Sequence, residues 1–572
     1  RFDLDPGRVR VGTARPDLLE VVPGEDSRDR LRVWDFKASH AARHEHYVQV
    51  AFYTLLLEQV VAARGLSERY AVDTATGVIF SRQGEEPFEL APYRLAVEDF
   101  LRHRAMPLLA TTAAEAHYHV NLGCPMCQYL ESCRGEADAG GDLSRVAYMT
   151  SESKRRLVRS GIRTHRELAR LSPDDARWEP LRAAGHDLSV NLPRYVAVAQ
   201  ALEDGRPRSL DSQSLTIPAY EDVRVVISAE QDPVTNTCFA LGLKVLEGWD
   251  DKSRPIGSER VFLLNDPSEE GRLLLEFLTA LNELLVRVDA ANAAIAAELE
   301  ADTPEVAEKR AALATATAQR DAFKQAHPRL SSSKADHAAL IVRREELKAA
   351  EKEAKDALGR AEKQARWQNH RRQKRLHFYV YDGFDLSVLK RLVERHLFDR
   401  DPALLAQLFI LVRLFPPESV LPDADSFRSI PGTVVIRALQ QLVALPSPYV
   451  YDLRTVTELM PDGEDGRRPY RFRPPTGFVF RGTNQIPFER IHDVWQGRPF
   501  QLKPSDPEAI PPDEVRRRIE RAVIDKLRAT DAVVLWLKRE YRDRLLLRKE
   551  PFRLYEGFDP LGYRNGDERA FT

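Results

Sequence analysis

Four residues near the start of the chain carry groups suited to phosphodiester chemistry. The carboxylates of Asp17 and Asp35 and the carbonyl oxygen of Phe36 are ligands of the kind that Mg²⁺ or Mn²⁺ prefers. Such an ion generates hydroxide and neutralises charge on the transition state of hydrolysis. Lys37 lies two residues after Asp35, on the same face if this segment is a strand. Its ammonium group can therefore orient the attacking water.

Two further polar residues, Gln49 and Tyr53, are spaced as neighbours on one face of a helix. Their side chains can therefore reach together toward the carboxylates or toward a nucleic-acid backbone. His44 and His46 flank the predicted start of this helix. We interpret them as helix-entry residues rather than as metal ligands.

The elements that must position these residues can be predicted from the apolar pattern. The strand candidates are residues 9–12, 15–22, 31–37, 71–80 and 86–90. The helix candidates have the longer period and are residues 47–63 and 92–110. Asp35 and Lys37 are thus expected on a strand, and Gln49 and Tyr53 on the helix that follows it.

Three of the four cysteines lie within ten residues, in the pattern C-x2-C-x5-C. They are Cys124, Cys127 and Cys133. Thiolates at such spacing usually converge on a metal, and a chain of this length with four cysteines has no disulfide scaffold. Cys238 lies on a separate apolar segment, so we interpret it as a buried core thiol.

The polar motifs form an ordered set: Gly12-x-x-x-Pro16-Asp17, Asp35-x-Lys37 and Gln49-x-x-x-Tyr53. With the cysteines, the set resembles the RecB-like branch of the PD-(D/E)xK nucleases over roughly residues 1–137. The resemblance implies a restriction-endonuclease-like α/β domain and a divalent-metal-dependent deoxyribonuclease. The catalytic residues that it implies are Asp17, Asp35, Lys37, Gln49 and Tyr53. The branch also has an acidic or histidine residue on a preceding helix, which we expect upstream of Arg1.

The same branch often carries a 4Fe–4S cluster held by three cysteines after the nuclease core and one far upstream. Cys124, Cys127 and Cys133 match the three, and the fourth is expected before residue 1. The cluster would have a structural role, clamping the C-terminal end of the nuclease to its N-terminus. Zn²⁺ with His117 or His119 as fourth ligand is the alternative.

A second, weaker resemblance concerns residues 213–284 and 373–460. Two apolar segments, 223–230 and 238–243, resemble the opening strands of an RNase H-like exonuclease, which places Asp-x-Glu on its first strand to bind two metal ions. Here Ser228 replaces the first acid and Glu230 remains, with Asp382 and Asp452 where further acids could lie. Because losing one carboxylate weakens a two-metal site, we expect this domain to be inactive.

The remaining segments connect or extend these domains. Residues 138–212 are predicted to form a helical connector with a helix-hairpin-helix-like element, whose alternative is an ordinary helix pair. Residues 285–372 are rich in Ala, Glu, Lys and Arg and predict two long helices in an inserted coiled-coil hairpin with a solvated charged face. Residues 461–572 are predicted to be a linker followed by a long helix at about 512–544.

Composition restricts the function further. The 572 residues have a formal net charge of −2, so nucleic-acid contacts must come from local basic patches. No apolar stretch is long enough to span a membrane, and we expect a cytoplasmic location. The sequence contains no Gly-x-x-x-x-Gly-Lys-Ser/Thr loop, so a helicase would act from elsewhere, in cis or in trans.

We therefore expect an α/β multidomain DNA nuclease that works with a superfamily-1 helicase in DNA repair or in defence against phage and plasmids. Two alternatives stay open. One is a DNA-binding scaffold with an inactive nuclease. The other is an RNA-processing nuclease.

Overall fold

The computed structural model describes most of the chain and divides it into two compact units. The described residues are 14–24, 28–37, 42–112, 117–121, 123–124, 127–247, 256–300, 303–328, 338–396, 403–404, 407, 432–462, 468–480, 483–502 and 509–553. The first unit comprises residues 1–144, 149–163 and 231–237, and the second comprises residues 145–148, 164–230 and 238–572. The predicted strand at 9–12 lies outside the described residues.

The first unit contains a five-stranded mixed sheet in the order β1-β2-β4-β5, with β3 paired beside β2. The strands are β1 (Leu18–Val22), β2 (Asp29–Phe36), β3 (Tyr70–Val72), β4 (Thr76–Ser81) and β5 (Gly84–Glu89). β1 and β2 are antiparallel, whereas β2 and β4 are parallel. The predicted strand pair is confirmed in part, because the segment expected as one strand at 71–80 is two, β3 and β4.

A long helix, α1 (His44–Ala63), covers the core face of this sheet. Val33 on β2, Val50 and Leu55 on α1, and Ile79 on β4 belong to one buried cluster. Burying such a side chain contributes about 1.5–3 kcal/mol relative to leaving it exposed. The predicted helix is therefore confirmed, and its start lies three residues earlier than the apolar period suggested.

The helix predicted at 92–110 is interrupted. It consists of α2 (Ala91–Phe100), a π-helical turn at Leu101–Ala105, and α3 (Met106–Ala110). Pro107 has no amide hydrogen to donate, which removes one regular helical bond at this point and favours the wider turn. The unit is completed by α4 (Leu130–Gly140) and α5 (Ser151–Arg159).

The second unit begins with three helices and two short strands. They are α6 (His165–Ala169), α7 (Trp178–Ala183), α8 (His186–Asp204), β6 (Arg208–Ser209) and β7 (Ser214–Pro218). Thr164 caps α6 by accepting a hydrogen bond from the Glu167 amide, and the Glu167 side chain bonds back to the Thr164 amide. A capping box of this kind marks the start of a helix.

The main sheet of the second unit has five strands in the order β10-β9-β8-β11-β12. They are β8 (Val223–Gln231), β9 (Cys238–Glu247), β10 (Ile256–Leu263), β11 (Leu376–Val380) and β12 (Gly432–Val434). β9 and β10 are antiparallel, and β11 lies parallel to both β8 and β12. Every residue of β8 is buried, as expected for a central strand covered on both faces.

The described part of the second unit contains further helices along the chain. They are α9 (Glu270–Glu300), α10 (Pro304–Ala326), α11 (Ala338–Arg372), α12 (Gly383–His396), α13 (Val435–Leu442), α14 (Leu453–Leu459), α15 (Glu489–Trp495) and α16 (Pro512–Glu540), with two short strands, β13 (Val443–Ala444) and β14 (Leu545–Leu547). A Cβ atom at Gly242 on β9 would lie 2.6 Å from the Val523 side chain of α16. Glycine therefore permits the close approach of this helix to the sheet.

The predicted helical insertion differs from the structure in its number of helices. Residues 285–372 contain the end of α9 and all of α10 and α11, not two helices. Thr303 caps α10 at the Val306 amide, and Pro304 occupies the first helical position, which favours a new helix start here. α10 and α11 pack together, and Arg320 donates to Glu351 at 2.7 Å between them. No helix within the described residues is both long and apolar enough to cross a membrane.

Candidate active site

The strand β2 presents Asp35 to the interior and ends beside Lys37. Asp35 is 2 % exposed and lies opposite Ile79 of β4 in the sheet register. The amide of Lys37 donates to the carbonyl of Phe80 at 2.8 Å, which extends the β2–β4 pairing by one residue. The Lys37 ammonium contacts a carboxylate oxygen of Asp35, so both side chains lie on one face, as the spacing predicted.

The helix α1 brings Gln49 and Tyr53 to the same place. Lys37 Nζ donates to Gln49 Oε1 at 2.9 Å, and Gln49 Nε2 donates to the Tyr53 hydroxyl at 2.7 Å. The two helical residues are one turn apart and therefore face the strand together. The structure thus joins Asp35, Lys37, Gln49 and Tyr53 in one chain of polar contacts.

Asp17 reaches the site from the neighbouring strand. In the antiparallel register of β1 and β2, Leu18 lies opposite Trp34, which places the preceding residue beside Asp35. The carboxylate of Asp17 accepts a hydrogen bond from the Phe36 amide at 2.7 Å. All five residues predicted to be catalytic therefore converge.

The electrostatics of Asp35 are those of a buried carboxylate beside another acid. Burial is the main cause of its raised pKa, and the nearby Asp17 raises the pKa further, while Lys37 opposes both. The Oδ2 atom of Asp35 contacts the ammonium of Lys37 but accepts no hydrogen bond within the described residues. Because the ammonium group of Lys37 already occupies one side of this buried oxygen, a metal ion would bind beside it through the remaining lone pair.

These oxygens fit a hard divalent ion, although the protein supplies few of them. Among the described residues, no group of three or more His, Cys, Asp or Glu side chains could hold a metal. Asp17 and Asp35 provide two carboxylates, so further ligands would be carbonyl oxygens such as that of Phe36, and water. Mg²⁺ commonly keeps several waters and uses one or two carboxylates, which matches this set.

The two histidines at the start of α1 make local contacts. His46 Nδ1 accepts a hydrogen bond from the Arg43 amide at 3.1 Å, and His44 Nδ1 lies 3.3 Å from the Tyr93 hydroxyl. Burial lowers the pKa of His46, and the charge of Lys37 lowers it further. These contacts agree with the helix-entry role expected from sequence.

The three cysteines of the predicted metal site do not form a metal-binding group in the part of the chain that the structure describes. Cys127 is exposed, Cys124 and Cys133 are half-buried, and none forms a disulfide. The amide of Asn121 points at Cys124 Sγ at 3.3 Å, and the amide of Cys127 donates to the Cys124 carbonyl at 2.8 Å. Cys238, by contrast, is completely buried on β9, and burial raises the pKa of its thiol. Its predicted role as a core thiol is consistent with this placement.

The two histidines considered as zinc ligands are already engaged. His119 uses one ring nitrogen with the Met149 carbonyl at 2.9 Å and the other with the Ser144 hydroxyl at 3.2 Å. His117 Nε2 lies 3.0 Å from the Ser151 hydroxyl. Burial lowers the pKa of His117 to about 4, so it is neutral at pH 7. In this arrangement His119 has no ring nitrogen left for a metal.

A second group of acids lies in the second unit, where a buried lysine contacts two of them. Glu230, at the end of β8, is 1 % exposed, and its carboxylate accepts from Lys526 Nζ at 2.9 Å and from the Ile486 amide at 2.9 Å. Lys526 also donates to Asp385 at 2.8 Å. Asp385 accepts from the Ala229 amide at 2.9 Å as well. The ammonium group thus stands between the two carboxylates, where a metal ion would need to bind.

The other two predicted acids of this domain have partners of their own, and Asp382 lies close enough to Glu230, Asp385 and Lys526 for its charge to act on them. Asp382 accepts from the Asn484 side chain at 3.3 Å, and Asp452 caps α14 at the Thr455 amide. The hydroxyl of Ser228 is buried and has no hydrogen-bond partner within the described residues.

Sequence reasoning missed Asp385 and Lys526. The signal for Lys526 was its position on the apolar stripe of α16, one turn from Ala522, Val523 and Thr530, which are all buried.

Comparison with known proteins bears on the first unit. Residues 2–134 match the sequence model of the PD-(D/E)XK nuclease superfamily. This segment is therefore similar to a superfamily whose members are nucleases that typically use Mg²⁺ or Mn²⁺. No curated protein and no solved structure matches the chain.

Proposed function

We propose that the first unit is a divalent-metal-dependent deoxyribonuclease of the RecB-like branch. The observation that carries this proposal is a connected set of polar contacts. Asp17 accepts a hydrogen bond from the Phe36 amide, next to Asp35. Asp35 contacts Lys37, Lys37 donates to Gln49, and Gln49 donates to Tyr53. Five polar side chains that converge on the buried end of one strand have no evident structural purpose. They match the needs of phosphodiester hydrolysis.

The residues divide the work between them. Asp17, Asp35 and the Phe36 carbonyl would hold Mg²⁺ or Mn²⁺, which supplies Lewis acidity and a bound water of lowered pKa. Lys37 places an ammonium group beside the same carboxylates, where it can stabilise negative charge on the phosphoryl oxygens. Gln49 holds Lys37 in this orientation and is itself held by Tyr53, so both act chiefly as positioning residues.

We propose that Cys124, Cys127 and Cys133 bind a 4Fe–4S cluster, with Zn²⁺ as the alternative. Their spacing and the Asn121 amide directed at Cys124 Sγ support the proposal, because hydrogen bonds to the sulfurs are a feature of iron–sulfur sites. The engagement of both ring nitrogens of His119 disfavours it as a zinc ligand.

We propose that the second unit contains an RNase H-like domain without catalytic activity. Its strand order, with three meandering strands followed by two parallel ones, supports the likeness. The contact of Lys526 with Glu230 and Asp385 supports inactivity, because a buried cation already occupies the position between the two carboxylates.

The biological setting is proposed on the order of the domains alone. A nuclease, a cysteine segment, a helical connector and an RNase H-like domain resemble nucleases joined to superfamily-1 helicases. Action with such a helicase in DNA repair or in defence against phage and plasmids follows from that likeness.

Cleavage assays test the central proposal. The purified chain is incubated with labelled single-stranded DNA, duplex DNA and RNA in Mg²⁺, Mn²⁺ or EDTA. Cleavage of DNA in either metal and none in EDTA is expected, and Asp35→Ala should abolish it. Cleavage of RNA alone would overturn the assignment to DNA, and equal cleavage by Asp35→Ala protein would overturn the site.

A further inference from the structure

The end of α11 carries an exposed row of cations around a tryptophan. Residues 363–375 contain six Lys or Arg residues and no Asp or Glu. The exposed side chains of α11 in this stretch include Lys363, Arg366, Trp367, His370 and Arg371. Their spacing of three and four residues places them on one face of the helix.

The opposite face of the same stretch anchors the helix. Asn369 and Gln373 are buried, and Lys374 and Arg375 pair with Glu247 and Asp222 at 3.4 Å each. The outward cations are different. Lys363, Arg366 and Arg371 form no ion pair with any residue that the structure describes. Their charge is therefore available to a ligand.

Aromatic rings alternate with these cations. The ring of Trp367 is 58 % exposed, with the Arg371 guanidinium 4.8 Å from its centroid. Tyr220 is 37 % exposed, and the Arg375 guanidinium lies 5.8 Å from the centroid of its ring. Burial raises the pKa of the Tyr220 hydroxyl, and Arg371 is close enough for its positive charge to oppose that effect. The exposed ring of Trp367 offers a flat apolar surface on which an unpaired base can stack.

We propose that this face, the Trp367 face (Lys363, Arg366, Trp367, Arg371 and Tyr220), binds single-stranded DNA. Unpaired bases stack on aromatic rings, and arginine and lysine neutralise the phosphates between them. A duplex hides its base faces, so it could use only the charges. The face lies on the second unit and uses none of the nuclease residues. The proposal therefore stands whether or not the first unit cleaves DNA.

Binding by catalytically blocked protein tests the proposal. Full-length protein with Asp35→Ala is titrated in EDTA against a labelled oligothymidylate of about 20 nucleotides, with fluorescence anisotropy as the readout. Trp367→Ala should weaken binding about fivefold to a hundredfold, the range for removing the stacking of one base. Trp367→Phe keeps a ring and should restore most of the affinity. Val342→Ala, which truncates an equally exposed residue of α11, is the matched control.

The salt dependence of DNA binding measures the contribution of the arginine charges separately from that of base stacking. Arg366→Ala with Arg371→Ala should lower the slope of log affinity against log salt by about 1.4, or 0.7 for each phosphate that is no longer neutralised. Arg343→Ala with Arg344→Ala removes the same charge from the other end of α11 and should leave the slope unchanged. Equal affinity of all variants, equal weakening in the controls, or equal affinity for duplex would overturn the proposal. Tighter binding of RNA of the same sequence would overturn the assignment to DNA.

Discussion

The ammonium group of Lys526 lies 2.9 Å from the carboxylate of Glu230, with both side chains almost completely buried. The first unit has a similar pair, Asp35 and Lys37, but the Lys37 side chain is 19 % exposed and comes from the same strand. The difference matters because an accessible lysine can move to make room for a metal ion and a phosphate, whereas a buried one cannot. Similar residue types therefore fit the proposed catalysis in the first unit and a fixed buried ion pair in the second.

Lys37 should be essential for cleavage, and Gln49 important for positioning it. Lys37→Ala should lower kcat at least 100-fold, about the effect of removing one group that stabilises transition-state charge. Gln49→Ala should cost less, since it frees Lys37 without removing it. Rates with DNA and Mg²⁺ measure both effects, and Arg30→Ala, at an exposed position of β2, is the control. A Lys37→Ala enzyme with the wild-type rate would contradict the assigned role.

Asp35→Asn should stabilise the metal-free protein while abolishing cleavage. The folded-state pKa of Asp35 is raised, so its stabilising contribution is present at low pH and is lost as pH rises through that raised pKa. At neutral pH the charged group therefore costs stability, which asparagine would recover as a rise of roughly a few degrees in Tm.

Thermal unfolding in EDTA and in Mg²⁺ measures this trade-off. Mg²⁺ should raise the Tm of the wild type, because a ligand that binds only the folded state stabilises it, and should not affect the variant. A lower Tm for Asp35→Asn in EDTA would show that its contact with Lys37 outweighs burial.

Removing Lys526 alone should damage the second unit, and removing its partners as well should repair it. Lys526→Met leaves Glu230 and Asp385 as buried charges without a cation, at a cost of about 3–5 kcal/mol. The triple change Lys526→Met, Glu230→Gln, Asp385→Asn removes all three charges and should recover most of that stability. Denaturant unfolding of the variants provides the measurement, and a triple variant no more stable than the single one would refute the coupling.

The acids of the second unit should be dispensable for cleavage. Glu230→Gln and Asp382→Asn keep the shape of each side chain and should leave the metal-dependent rate close to that of the wild type, because neither residue belongs to the proposed active site. Loss of activity in either folded variant would mean that the RNase H-like domain takes part in catalysis.

Replacement of Cys127 by Ser should release the proposed cluster and destabilise the nuclease unit. A cluster that closes a loop containing the domain couples metal binding to folding. Anaerobically purified protein should be brown and contain iron and sulfide, and Cys127→Ser should lose colour, solubility and cleavage together. Cys238→Ala, a change at a buried thiol of the second unit, serves as the comparison. Colourless protein with stoichiometric zinc would show that the metal is zinc, and active metal-free protein would exclude both.

The sequence alone predicted the strand and the helix that hold the candidate active-site residues, because the residue patterns that indicate them are local. The alternation around Asp35 predicted β2, and the spacing of Gln49 and Tyr53 predicted a shared helical face that the structure confirms. Thr164 likewise marked a helix start through a capping box contained within four residues. Side-chain period and capping depend only on near neighbours, so they can be recognised without a fold.

Only the tertiary structure decided which distant residues meet. The pairing register of β1 and β2 brings Asp17 beside Asp35, and the packing of α16 brings Lys526 to Glu230 across 296 positions of sequence. Neither contact leaves a local pattern, because each depends on how whole elements pack. The helical insertion at residues 285–372 shows the same limit. Its charged composition predicted two long helices, but α10 begins at Pro304 after the cap at Thr303, so the segment contains the end of α9 and all of α10 and α11. Contacts between residues near each other in sequence can therefore be predicted from the sequence. The contact of Lys526 with Glu230 and Asp385 depends on the packing of distant elements and is known only from the fold.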